Sequence, residues 1–268
     1  MATFRSAATL EAAIVSVLSQ TGVEVELLIA DGKSDDRTPD ICEAHRPRLA
    51  YYVSEKDNGV YDAWNKLIPH ASGEWICFLG SDDVFASPDA LQKLVAAAAQ
   101  RPTGCRVVYG NVTYIDEHAR PVVTQGEPWT AVKESMKKKM SIPHVGTFHH
   151  RSIFDDGGRF DARYRIAGDF ALLRAECLAH GAYFAEGVNI AVAGWGGIST
   201  HPKWELKCQL EILRILQEQG GMIPPFSWVT RFIKVLLRYS IFSMFGARGL
   251  ERYESVKRWF GIKGDLAA

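Results

Sequence analysis

Short β-rich runs alternate with amphipathic helical stretches over the first 117 residues, and this alternation narrows the fold more than any other feature. Leu10, Ile14, Val17 and Leu18 recur at helical spacing, with Gly22 as a stop signal. The run VEVELLIA ends in Asp31-Gly32. SDDRTPDICEAH then opens a second helix, with Thr38 as N-cap and Pro39 at its first position. LAYYVSE reads as a strand, and NGVYDAWNKLIPHA as a helix with Ala63, Trp64, Leu67 and Ile68 on one face. EWICFL is the next strand, Ser87-Pro88 caps the helix DALQKLVAAAAQ, and CRVVYGNVTYID is a strand bent at Gly110. Such spacing predicts an α/β fold whose mainly parallel sheet carries helices on both faces. Ligands of these sheets bind beyond the carboxyl ends of the strands. Asp31, Asp57 and Asp82 each fall at or just after such an end.

One of those ends poses a chemical problem. EWICFLGSDD finishes an apolar run on Asp82 and Asp83, adjacent carboxylates that repel each other and resist desolvation unless a cation lies between them. Hard oxygen ligands favour Mg2+ or Mn2+ over zinc, and Mg2+ commonly takes one or two carboxylates together with substrate phosphates and water. The rival reading is a cap of the following segment, for which a second carboxylate has no use.

Whole-chain properties exclude other classes. Formal net charge is zero, with a pI near 7.1, so nothing draws the chain toward nucleic acid. Cys42, Cys77, Cys105, Cys177 and Cys208 are scattered without metal spacing and read as reduced thiols of a cytosolic protein. The opening segment is too polar and broken for a signal peptide, and no uncharged run approaches the ~20 residues of a spanning helix. A cytoplasmic location is therefore expected. VKESMKKKM reads as an exposed helix or loop, with contact to an anionic acceptor or membrane as the alternative.

In this order, SVLSQ, DGKSDDRT, SEKDNGVYDAWNK, ASGEWICFLGSDD, VVYGNVTYID, HVGTFHHRSIFDDGGRFDARYRIAGDFALL and GGIST make the chain resemble the family 2 glycosyltransferases of GT-A fold, especially bacterial polysaccharide-building members. The resemblance runs from about residue 2 to 200. It implies a glycosyltransferase (hexosyltransferase type) domain over 1–202, with a nucleotide-binding part at 1–117 and an acceptor and catalytic part at 118–202. It further implies donor-side roles for Thr3, Asp31, Asp36, Asp57, Asn58, Gly59, Asp62, Asn65 and Asp82. Asp82 and Asp83 would hold the metal, and Asp169 would be the catalytic base. His144 and Trp195 would lie on the acceptor or diphosphate side. Two departures stand out. The family's first acidic metal position is Gly80 here, and the apolar strand that usually opens the domain is expected either to be lacking from the sheet or to lie upstream of the first residue given.

The residues leave alternatives beside these roles. Asp31-Gly32 also reads as a plain turn, Asp169 as a helix N-cap, His144 as a structural histidine and Trp195 as part of a packed turn. Residues 203–268 form a helical appendage beginning with WELKCQLEILRILQEQ. In it Arg231, Lys234 and Arg238 make one basic stripe beside Phe232, Val235, Leu236 and Phe242. Such a helix suits the headgroups of an anionic membrane, at the inner face of the cell membrane, or packs on the catalytic domain with its stripe in water.

The expected activity is metal-dependent, inverting transfer from a nucleoside-diphosphate sugar, UDP-linked, to a glycan or lipid-linked acceptor. The rivals are a nucleotidyltransferase and a non-catalytic nucleotide-sugar-binding protein.

Overall fold

The computed structural model describes residues 1–195, 202–220 and 226–259. Residues 1–195 form one compact unit and 196–268 a second. The GGIST segment lies outside the described residues.

The first unit begins with β1 (Ala2–Thr3), α1 (Leu10–Leu18), β2 (Leu28–Asp31), α2 (Thr38–Ala44), β3 (Tyr51–Ser54) and α3 (Val60–Leu67). It continues through β4 (Trp75–Cys77), β5 (Val84–Phe85), α4 (Ala90–Ala98), β6 (Val107–Ile115), β7 (Pro121–Gln125) and α5 (Trp129–Met136). It closes with β8 (Phe148–His150), α6 (Ser152–Asp155), α7 (Gly168–His180) and β9 (Tyr183–Gly194). Helix α2 starts at Thr38 itself, because the Asp36 carboxylate accepts the Thr38 N–H at 3.0 Å and takes over the capping.

β1, β2 and β3 form a parallel sheet in that order. The second sheet runs β4-β8-β6-β9-β5, with β7 pairing the later half of β6 off that path, and it is mixed: β6 and β9 are parallel, whereas the β4-β8, β6-β8, β5-β9 and β6-β7 pairs are antiparallel. The parallel expectation holds where helices connect the strands. It gives way where a tight turn at Asp116–Arg120 returns the chain as β7. Leu10, Ile14, Ile29, Leu94, Val108 and Ile190, all fully buried, belong to one core that reaches across both sheets.

The expected absence of the opening strand is corrected in part. Ala2 and Thr3 pair with Ala30 and Asp31, and Ala2 also bridges Gly80, so a two-residue strand stands between the sheets. Below it is a cavity of about 220 Å³ lined by Leu28, Ile76, Phe78 and Phe148 among others. The Met1 ammonium donates to the Leu28 carbonyl at 2.7 Å, and burial lowers its pKa to about 5.

The second unit holds α8 (Pro202–Glu218) and α9 (Phe226–Trp259), the latter kinked at Gly246. Ile215, Leu216 and Val235 are buried. The single basic stripe expected on α9 does not survive intact. Arg238 is turned to Glu205 of α8 at 2.9 Å, because a guanidinium so enclosed needs a carboxylate partner.

Candidate functional site

Four loops meet at the carboxyl ends of β1, β2, β3 and the segment after β4. Local hydrogen bonds fix each one. Asp31, 1% exposed at the end of β2, accepts the Ser34 N–H, the Ser34 hydroxyl at 2.5 Å and the Ser54 hydroxyl at 2.6 Å. Its carboxylate is thus turned inward and anchors the loop that follows. Asp36 ties that loop to the Ala7 N–H at 3.2 Å, and Arg5 pairs with Asp35 through two bonds of 2.7 Å. The Ser6 and Ser81 hydroxyls, 2.8 Å apart, join the loop after β1 to the loop carrying the acidic pair.

On the β3 side, Asp57 accepts the Gly59 N–H and Asp62 the Asn58 N–H, each at 2.8 Å, which sets the entry to α3. Asn65 does not face the rim: its amide clamps the Phe160 backbone by bonds of 2.7 and 3.0 Å. Thr3 is buried at the end of β1, and its hydroxyl has no hydrogen-bond partner among the described residues.

The acidic pair explains the glycine before it. A Cβ at Gly80 would lie 2.6 Å from Asp83 Oδ2 and 2.8 Å from Asp82 Oδ1, so both carboxylates fold back over a position that holds no side chain. The Gly80 N–H donates to Asp83 Oδ2 at 3.1 Å. Asp83 is buried and Asp82 exposed. Burial first, and then the charge of Asp82, push the Asp83 carboxyl up to about 7. A raised carboxyl beside a second carboxylate is what a cation would relieve. Among the described residues no group of three or more His, Cys, Asp or Glu side chains forms a closed cage. Two hard oxygen donors therefore fit Mg2+ or Mn2+ only with further ligands from substrate and water.

Asp169 lies in the first turn of α7, half-buried. Its Oδ1 accepts the Phe170 N–H at 2.8 Å and the Tyr61 hydroxyl at 3.0 Å, and desolvation raises its pKa despite those donors. Tyr114 on β6 feels the charges of both Asp83 and Asp169, and burial lifts its phenol to about 12. Trp195 packs edge-on against Tyr114 at 5.7 Å. The structure thus gathers Asp83, Asp169, Tyr114 and Trp195 at the end of β6.

His144 stands apart in character. It packs among Trp64 (5.2 Å), Phe78 (5.8 Å) and His149 (5.4 Å), and burial drops both histidines to a pKa of about 3, so each ring is neutral. Neither Nε2 has a hydrogen-bond partner among the described residues. A neutral ring at this place contributes shape and an aromatic contact, not a positive charge. Exposed Phe4 and the Tyr61 contact to Asp169 escaped sequence reasoning. An aromatic next to β1 is a weak signal, and a contact across 108 positions is none.

The family model described as "Glycosyl transferase family 2" matches residues 1–156. A "PGL/p-HBAD biosynthesis glycosyltransferase" of Mycobacterium bovis (strain BCG / Pasteur 1173P2) is 30% identical over 205 residues, covering 74% of this chain and 76% of the relative. "Succinoglycan biosynthesis protein ExoO" of Rhizobium meliloti (strain 1021) is 31% identical over 193 residues, covering 68% and 55%. Among solved structures, S. aureus TarS 1–349 in complex with UDP-GlcNAc aligns with a TM-score of 0.61 at 16% identity, over 99% of this chain and 78% of that one. The longer TarS chain is spanned to 47%. Mannosyltransferase PcManGT from Pyrobaculum calidifontis, in complex with GDP-Man and Mn2+, aligns at 0.62 with 14% identity, over 98% and 74%.

Proposed function

This chain belongs to glycosyl transferase family 2 and has the GT-A fold, and from that premise we propose that it transfers a sugar, with inversion, from a UDP-linked donor to a hydroxyl of a glycan or lipid-linked saccharide. The observation that carries the reading is the Asp82-Asp83 pair closed over Gly80, one carboxylate buried and raised, at the meeting point of the strand-end loops. Asp82 and Asp83 would hold Mg2+ or Mn2+, which when bound neutralises charge developing on the leaving diphosphate. The Asp31 to Asp36 loop, Asp57, Asn58, Gly59 and Asp62 frame the nucleoside end, where exposed Phe4 offers an aromatic face. Asp31 acts there by fixing the loop, since its oxygens are already shared among the Ser34 and Ser54 donors. Thr3 and Asn65 serve as supports beneath the pocket. His144 and Trp195 belong to the far side, the first as a neutral wall and the second beside Tyr114.

Asp169 is the base. Its Oδ2 accepts no hydrogen bond from the described residues and keeps contact with solvent, so it is the oxygen able to take the acceptor's proton. One carboxylate on the face opposite the leaving group gives direct displacement and hence inversion.

Calorimetric titration of UDP and GDP, each with Mn2+ and then with EDTA, tests the proposal. One nucleotide is expected to bind with metal and at least tenfold more weakly without it. Gly80→Ala should lose the metal-dependent part, because the added methyl displaces both carboxylates, while thermal stability stays close to that of the parent chain. Equal binding in EDTA would sink the metal role. Pyrophosphate release would point to nucleotidyl transfer instead, and binding without donor turnover to a binding protein.

For the second unit, we propose peripheral contact with an anionic membrane surface through α9, which would put the enzyme at the inner face of the cell membrane. Phe226, Ile233, Leu237 and Met244 recur at near-heptad spacing and are 48 to 82% exposed, with exposed Arg231 and Lys234 beside them. Among the described residues no helix is long and apolar enough to cross a membrane. Ile233→Glu with Leu237→Glu should reduce co-sedimentation with phosphatidylglycerol vesicles severalfold; unchanged sedimentation would count against the lipid contact.

A further inference from the structure

Tyr61 has no assigned role, yet its hydroxyl is the only side-chain group that bonds Asp169 among the described residues. We infer that Tyr61 is a positioning residue for Asp169, holding Oδ1 so that Oδ2 alone is presented for proton transfer. The inference deepens the reading of Asp169 as base and rests on it.

The geometry is over-determined. Tyr61 is 4% exposed, stacks on Phe160 at 5.5 Å and meets Trp64 edge-on at 5.6 Å, so its ring has no freedom to swing. At Gly168, the first residue of α7, a Cβ would stand 2.8 Å from two ring carbons. The missing side chain is what lets the ring reach the start of the helix. From there the hydroxyl contacts the Ile166 carbonyl at 2.7 Å and Asp169 Oδ1 at 3.0 Å.

A phenol has one hydrogen and can also accept. When Asp169 is ionised, that hydrogen serves Oδ1 together with the Phe170 N–H. After Asp169 has taken a proton, the phenol hydrogen can turn wholly to the Ile166 carbonyl. Both protonation states of a group that must cycle between them therefore keep their partners. The other titratable groups on that side are Tyr114 from β6, whose phenol burial and the charges of Asp83 and Asp169 keep neutral, and beyond it Asp83; what opposes ionisation of Asp169 is its own burial. Tyr61 is thus the side chain that favours the carboxylate.

The test is Tyr61→Phe, which keeps the ring contacts and removes only the hydroxyl. With aspartate carboxyl carbons labelled with carbon-13 and the Asp169 signal assigned by its loss in Asp169→Asn, the titration midpoint of Asp169 should rise by about one pH unit. Turnover of the UDP- or GDP-sugar should fall about tenfold on the acidic limb of the kcat profile, that limb moving upward by the same one unit, with donor KM unchanged. Gly168→Ala, which pushes the ring off the helix, should shift midpoint and turnover in the same direction. Midpoint and kcat equal to the parent in folded Tyr61→Phe would overturn the positioning role while leaving the base intact, provided Asp169→Asn is inactive. Full turnover by Asp169→Asn would remove the base itself, and the positioning role with it.

Discussion

Asp169→Asn is expected to fold, to bind nucleotide and metal as the parent does, and to lose kcat by about 10²- to 10⁴-fold, the range of a positioned general base. Asparagine keeps an Oδ1 that can accept from Phe170 N–H and the Tyr61 hydroxyl, so the start of α7 is undisturbed. What it lacks is any capacity to take a proton at neutral pH. The loss should therefore fall on kcat and kcat/KM alike, with nucleotide affinity by calorimetry unchanged. Transfer at the parent rate would take the base role from this residue, and a matched loss of nucleotide binding would mean that the substitution had disturbed the pocket.

The second large effect is on stability in acid. His144 and His149 are neutral in the fold with pKa values near 3, against about 6.5 when unfolded. Their folded values are depressed, so the unfolded chain binds more protons between pH 6.5 and pH 3, and stability falls as pH falls through that window. Each ring contributes a slope of about 1.4 kcal/mol per pH unit. Asp83 is raised from 3.8 to about 7 and opposes them: its stability is present below the lower value and lost as pH rises through the upper one. A difference between two chains isolates the histidine. His149→Phe suits an aromatic neighbourhood of Phe78 and Phe154. Urea unfolding at intervals from pH 6 to 3.5 should show its stability curve flatter than the parent's by about 1.4 kcal/mol per pH unit. Parallel curves would mean that His149 is charged or hydrated in the fold.

Much of this architecture is legible in the sequence because it follows local rules. The helices α1, α3 and α4 come from spacing, and the nearness of Asp31, Asp57 and Asp82 comes from the rule that strand ends share one edge of a parallel sheet. Pairing direction in the second sheet is not local. β8 lies between β4 and β6, far from either in sequence, and no periodicity says which way it runs. The inward turn of Asp31 is also hidden, since Ser54 reaches it from the neighbouring strand. Gly80 reads as the loss of a metal ligand until its backbone is seen beneath two carboxylates. His144 illustrates the limit most plainly: residue type offers ligand or core, and only the packing among Trp64, Phe78 and His149 shows a ring that burial keeps neutral.

The way β1 meets the second sheet has a consequence for how the protein opens. Among the described residues a single backbone bridge, Ala2 to Gly80, joins the ladders of the two sheets, so along that seam side-chain packing supplies most of the cohesion. Motion across the seam then breaks few hydrogen bonds, and the β1-β2-β3 ladder can exchange its amide hydrogens through a sub-global opening lower in free energy than complete unfolding. A nucleotide sugar touching both the Asp31 loop and the Asp82 loop would span the seam. Part of its binding energy would then appear as slower exchange on β2 and β3, making the donor a fastener between two halves of one fold.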